Sequence, residues 1–351
     1  MIRLSIVIPS NRDGLTACAR ILQACSWTGP RAEVIVRDNS GSAAKAQFLS
    51  GIERENCRLI VAAPCGAHEN WREAFNEARG DFVYVLSDDD LCFDRALASL
   101  PGVIESIADD PSIIGVAAST LIETSQGSQG FAYPNIDADD PLVRLSGYLS
   151  SQGPNVLLFS PVRRATMKWA FEVVYGKPFA FSFDDQISSL LYLLSGKFAR
   201  MKRLMYVYDF GNWEATSTAQ RIDMNFYKSS ALDPAINKLH WFLCGFEGAT
   251  LIRNMAMQPN YSPAQRQALA DLWFSTMFNR FRQQPRDDFG SPLAGEAEKL
   301  CGRWREAAGR LSFGDMLADV CHFLALSSQE NALKYFAFWS TILGLRQAPA
   351  A

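Results

Sequence analysis

The sequence predicts an α/β protein: a mostly parallel sheet with helices on both faces, continued by an α-helical carboxyl-terminal extension. Three observations lead there. Short β-branched or aromatic runs alternate with helical patterns through the first half of the chain. Each run closes in a polar turn. Beyond about residue 223 strand patterns give way to amphipathic helices, so the expected division is 1–222 and 223–351.

The elements follow in order. Leu4 to Ile8 reads as a strand closed by Pro9-Ser10-Asn11, with a helix from Gly14 to Ala24. Glu33 to Arg37 is the second strand, closed by Asp38-Asn39-Ser40-Gly41, and Ala43 to Glu53 the second helix. Cys57 to Ala62, the helix His68 to Ala78 and the strand Phe82 to Leu86 complete a βαβα series, which implies parallel pairing with right-handed crossovers. A helix is expected over Asp94 to Ile107, a strand over Ser112 to Ala118, and a long Gly/Ser/Pro/Asp-rich loop over 124–141. Val156 to Phe159 reads as a short strand and Arg163 to Val174 as a helix. Phe179 to Phe183 leads into Asp184-Asp185 at a strand-to-helix turn, a helix covers Gln186 to Leu194, and Phe198 to Tyr208 supplies the last strand or pair.

In the extension, Ser262-Pro263-Ala264-Gln265 is a capping box with proline at the first helical position. Ser327-Ser328-Gln329-Glu330 opens a helix whose Leu333, Tyr335, Phe336, Phe338, Trp339, Ile342, Leu343 and Leu345 cover most of its circumference, the pattern of a helix buried against neighbours.

Composition narrows the function. With 351 residues, 48% hydrophobic and 20% charged, the chain has enough apolar material for a large core. A net charge of -3 argues against nucleic-acid binding. Eight cysteines without a CxxC pair read as buried free thiols in a reducing compartment. The chain opens on a strand rather than a signal peptide, and no run of 18 apolar residues occurs, so a cytoplasmic protein is expected, with peripheral membrane contact left open. No G-x-G-x-x-G follows the first strand and no Walker loop is present.

The chemistry concentrates where the fourth strand ends in Ser87-Asp88-Asp89-Asp90. Three adjacent carboxylates repel one another unless a cation neutralises them, and Mg²⁺ or Mn²⁺ takes such oxygen ligands. A polar turn capping the following helix is the competing reading. In a parallel sheet, Pro9 to Asn11, Asp38 to Ser40 and Ser87 to Asp90 all lie at carboxyl ends of strands, the rim where ligands bind.

Four stretches in order, Ile6 to Arg12, Val34 to Ser40, Glu69-Asn70-Trp71 ahead of Gly80-Asp81, and Leu86 to Asp90, resemble the family 2 glycosyltransferases of the GT-A fold. The resemblance covers roughly residues 1 to 215. It implies a Rossmann-like GT-A core, a nucleoside-diphosphate sugar donor, inverting transfer to a hydroxyl and a divalent metal, Mn²⁺ or Mg²⁺. Carried over, Pro9 and Ser10 line the nucleoside pocket together with Asn11 and Arg12. Asp38 contacts the base beside Asn39, Asp88 the ribose, and Asn70 belongs to the same pocket. Asp89 holds the metal, and Asp90 is a further metal or donor-sugar contact. The commonest DXD form of the motif has its first acid at the position of Ser87, so the resemblance does not choose which carboxylate ligates directly. Asp185 matches the family's general base and Asp184 its orienting partner; helix capping is the plain alternative for both. The implied acceptor is a saccharide or lipid-linked hydroxyl, as in cell-surface polysaccharide assembly, and the helical region offers a homodimer surface.

Lesser candidates have plainer roles. Trp71, Phe75 and Ala78 share a helix face and read as core. Asn212 and Trp213 follow the last strand and are candidates to close over a donor. His68, His240 and His322 show no metal-ligand spacing, with His240 alone a candidate to approach the site. Arg163-Arg164 reads as a solvated helix start or an anion contact. Two rival functions are a sugar nucleotidyltransferase, which would need a richer glycine loop after the first strand, and a non-catalytic nucleotide-sugar binder on the same fold.

Overall fold

The computed structural model describes residues 2–12, 14–26, 29–88, 91–151, 155–209, 216–255, 260–307 and 312–345. The chain forms two compact units: Met1–Asp139, Ser151–Phe171 and Gly196–Glu214 make the first, and Asp140–Ser150, Glu172–Ser195 and Ala215–Ala351 the second.

The first unit is built on a sheet whose strands are β1 (Leu4–Ser10), β2 (Ala32–Asp38), β3 (Cys57–Val61), β4 (Phe82–Val85), β5 (Leu91–Cys92), β6 (Ile113–Thr124), β7 (Gly127–Phe131), β8 (Val162–Arg163) and β9 (Lys197–Asp209). Their order is β3-β2-β1-β4-β8-β6-β9-β5, with β7 paired to β6. β1 pairs in parallel with β2 and β4, β2 with β3, and β6 with β9. The short β8 is antiparallel to both β4 and β6, which makes the sheet mixed. Between the strands run α1 (Leu15–Ser26), α2 (Ala43–Leu49), α3 (Ala67–Asn76) and α4 (Asp94–Ile107). Every residue of β1 and β4 is buried, as near-continuous apolar runs covered on both faces should be. Gly80, just before β4, lies so close to β1 that a Cβ there would fall 2.6 Å from the Ser5 backbone nitrogen.

The second unit is helical: α5 (Pro141–Ser150), α7 (Asp184–Ser195), α8 (Thr216–Ser229), α9 (His240–Asn254), α10 (Pro263–Gln283), α11 (Ala294–Ala307), α12 (Phe313–Ala325) and α13 (Gln329–Ile342); α6 (Arg164–Tyr175) contains the division. The capping box opening α10 forms as expected, Ser262 and Gln265 exchanging side-chain and backbone hydrogen bonds. Within α9, Gly248 is required by packing: a Cβ would meet Trp273 Nε1 at 2.2 Å, and that indole N–H donates to the Cys244 carbonyl at 2.9 Å.

Several expectations are corrected. Val156–Phe159 is a 3₁₀ turn, not a strand; four apolar residues carry too little periodicity to separate the two. The loop expected over 124–141 contains β7, which folds back on an extended β6 with Thr124 opposite Gly127. No strand precedes Asp184; Phe181 and Phe183 instead stack, with ring centroids 4.9 Å apart. α13 is not covered all round. Ala332, Tyr335 and Trp339 are buried, whereas Leu333 is 58% exposed, as is Leu345 just beyond the helix. None of the eight cysteines is in a disulfide, and six are buried.

Candidate active site

At the carboxyl ends of β1, β2 and β4 the sequence candidates of the first unit meet. The parallel register sets Ser10 opposite Asp38, and β4 ends at Val85, three residues before Asp88. Ser10 Oγ donates to one oxygen of Asp88 and the Arg12 guanidinium pairs with the other. Asp38 Oδ1 accepts from the Ser40 backbone N–H at 3.2 Å and is paired with Lys45 Nζ at 2.9 Å. The same ammonium donates to Ser10 Oγ at 2.6 Å and to the Arg12 carbonyl at 2.5 Å. Two carboxylates and two cations thus form one continuous network, which lets Asp38 and Asp88 be buried at 1% and 2% exposure.

A second chain of contacts extends this rim. Asn70 Oδ1 accepts from Arg37 at 2.5 Å, Asn70 Nδ2 donates to Asn39 Oδ1 at 2.9 Å, and Asn39 Nδ2 donates to the Cys65 carbonyl at 3.0 Å. Asn70 is therefore a buried tie between α3 and the end of β2. Its neighbour Trp71 is half-buried, edge-on to Phe159 at 6.1 Å. Pro9 is buried in β1, and Asn11 and Arg12 are exposed on the turn after it. Asp89, Asp90, Asn212 and Trp213 lie outside the described residues, and among the described residues no three His, Cys, Asp or Glu side chains are grouped to hold a metal.

Lys45 is the member that sequence reasoning missed. It sits in the first turn of α2 behind the Ser42 N-cap, among alanines, where a lysine is ordinarily taken as solvent-facing. A signal did exist: Lys45, Leu49 and Ile52 recur at helical spacing, and all three are buried.

The acidic pair belongs to the second unit, at the start of α7. Asp184 is buried, and its Oδ2 accepts from the Phe181 N–H at 3.1 Å while its Oδ1 pairs with Lys177. Asp185 is half-buried and accepts from the Gln186 N–H at 2.7 Å. Lys177 Nζ also contacts Glu247 Oε2 at 2.8 Å, and the Tyr335 hydroxyl donates to Glu247 Oε1 at 3.0 Å. Burial disfavours the Lys177 ammonium, but Asp184 and Glu247 outweigh it and the group is pushed up to about 12. Glu247 is pushed up to about 7, by burial first and then by the Asp184 charge, against the pull of Lys177.

His240 and Arg163 are both engaged by neighbouring groups. His240 is buried, its Nδ1 3.1 Å from Ser182 Oγ, and burial with the nearby Arg286 pushes it well below its ordinary value. Arg163 lies over the Phe82 ring at 4.8 Å and donates to the carbonyls of Ile107, Ala108, Asp110 and Ile113. It closes the carboxyl end of α4 and is not a free anion contact.

Comparison with known proteins follows the same lines. Residues 5–140 match the family model described as Glycosyl transferase family 2. The fold is similar to that of S. aureus TarS 1-349, with a TM-score of 0.54 at 14% identity over 99% of this chain and 93% of that chain. The crystal structure of TarS 1-349 in complex with UDP-GlcNAc matches equally, at a TM-score of 0.54, 14% identity and the same shares. The longer TarS structure matches at 0.53 and 14% identity; 99% of this chain is covered, but only 56% of that one. No curated protein matches.

Proposed function

With residues 5–140 a glycosyl transferase family 2 domain on a GT-A fold, we propose that this chain transfers a sugar, with inversion, from a nucleoside-diphosphate donor to a hydroxyl acceptor. The observation that carries the proposal is the network of Ser10, Arg12, Asp38, Lys45 and Asp88 at the ends of three parallel strands, the rim on which α/β sheets bind nucleotides. In this reading residues 1–222 bind the donor and carry the reaction. Pro9, Ser10, Asn11 and Arg12 border the nucleoside, with Asp38, Asn39 and Asn70 at the base and Asp88 at the ribose.

The metal is assigned to Asp89 with Asp90 beside it, as the family resemblance implies. These are hard oxygen donors of the kind Mg²⁺ and Mn²⁺ prefer. When bound, the ion would stabilise the charge that develops on the departing nucleoside diphosphate. Asp185 is the general base that takes the acceptor proton, and Asp184 fixes the start of its helix. TarS 1-349 has been crystallised with UDP-GlcNAc and with UDP, which makes UDP-GlcNAc the first donor to test.

Among the described residues no helix is long and apolar enough to cross a membrane. A saccharide or lipid-linked acceptor in cell-surface polysaccharide assembly, reached by a cytoplasmic or peripheral enzyme, fits this reading. The helical region, where Leu326, Leu333 and Leu345 stand exposed, is assigned to acceptor choice or self-association.

Calorimetry with UDP, with and without Mn²⁺, tests donor binding, and release of UDP from UDP-GlcNAc tests turnover. Asp185→Asn is expected to lower UDP release at least a hundredfold while leaving UDP affinity within about twofold. UDP release by Asp185→Asn at the unaltered rate would move the base elsewhere, and a chain that binds UDP without turnover would be a sensor.

A further inference from the structure

The second unit buries more charge than packing explains. The side chains of Lys177 and Glu247 are 1% and 0% exposed, Tyr335 is fully buried, and Asp184 is close behind. Burying one cation among two carboxylates is unfavourable compared with apolar packing, so the arrangement stabilises the fold poorly for its size. Its members come from the loop before α7, from α7, from α9 and from α13. It ends at Asp184, whose neighbour Asp185 is the half-buried member of the pair.

We propose that Lys177 is the positioning residue of the acidic pair: it absorbs the Asp184 charge so that Asp185 can be carried ionised, and Glu247, held by Tyr335, competes for the same ammonium. This rests on the reading of Asp185 as the base. The helical extension is then part of the catalytic apparatus, because α9 and α13 set how much of the Lys177 charge Asp184 receives. When Glu247 is protonated, Lys177 serves Asp184 alone. When Glu247 ionises, the ammonium is shared, one net negative charge accumulates beside Asp185, and Asp185 holds its proton more tightly.

Among the described residues, Cys244, Cys321, Tyr335 and His240 are each held away from neutrality. Cys244 of α9 is pushed well up by burial, Asp185 and Glu247, and Cys321 of α12 is pushed up to about 11 by burial. Tyr335 is driven well above its ordinary value by burial and Glu247. His240 of α9 is pushed well below its own, and Arg280 of α10 acts on the cluster by pulling the Cys244 thiol down. That leaves Glu247, near 7, as the group that changes state.

The test follows the Asp185 carboxyl by ¹³C NMR in the full chain, assigned by its loss in Asp185→Asn. The unaltered protein is expected to show a second step near pH 7 in the Asp185 signal, and Glu247→Gln to abolish that step. Lys177→Met is expected to raise the pH at which Asp185 titrates by about one unit, and adding Asp184→Asn to return it. If Lys177→Met does not fold, the comparison with Glu247→Gln decides alone. An Asp185 titration identical in the unaltered chain and in Glu247→Gln overturns the proposal. The pH profile of UDP release from UDP-GlcNAc with Mn²⁺ separates the two readings: coupling seen by NMR with Asp185→Asn still active leaves the charge relay standing and removes the base.

Discussion

Lys45 and Lys177 are both buried beside acids that the sequence singles out, yet they are held differently. Lys45 faces one carboxylate, Asp38, and directs its other donors to a hydroxyl and a carbonyl. Its charge is matched within the pair, which makes it a static brace at the strand ends. Lys177 faces two carboxylates, and one of them, Glu247, is pushed up to about 7 by burial first and then by the Asp184 charge. A buried cation shared between two carboxylates makes the site respond to pH.

That contrast can be broken most severely at Lys177. Lys177→Met strands two carboxylates in the interior and is expected to lower unfolding free energy by about 5 kcal/mol, read by urea denaturation. Lys45→Met strands only Asp38 and is expected to lose about 3 kcal/mol, with UDP affinity falling alongside stability.

The pH dependence sharpens the comparison further. Glu247 is raised on folding from 4.5 to about 7, so folding takes up a proton. Its contribution is fully present below about pH 4.5 and is lost as pH rises through about 7, a change on the order of 3 kcal/mol. Glu247→Gln should flatten that part of the stability profile. The smallest effect is expected at Tyr335→Phe, which removes one hydrogen bond to Glu247 and should cost about 1 kcal/mol.

Much of the first unit was legible in sequence because its signals are local. Asp94 to Ile107 forms the expected helix, and the polar turns after β1, β2 and β4 sit on one rim, since parallel strands bring their carboxyl ends together whatever lies between them. Ser10, Asp38 and Asp88 stood out for that reason, whereas Arg12 entered through the family resemblance. Lys45 escaped because a lysine in a short alanine-rich helix carries no mark of its partner, and Asn70 was placed without its tie to Arg37 and Asn39. The strand expected before Asp184 failed because alternating Phe179, Phe181 and Phe183 fit a pleat as well as an aromatic stack.

The sequence by itself determined the alternating elements, their order and which acids stand at strand ends, because hydrophobic period and turn chemistry are properties of neighbouring residues. Tertiary structure alone decided which cations neutralise those acids. Lys177 meets Glu247 70 positions away, and Tyr335 reaches Glu247 from 88 positions further on. A charge can be buried only where such partners converge, and that convergence belongs to the folded chain rather than to any segment of it.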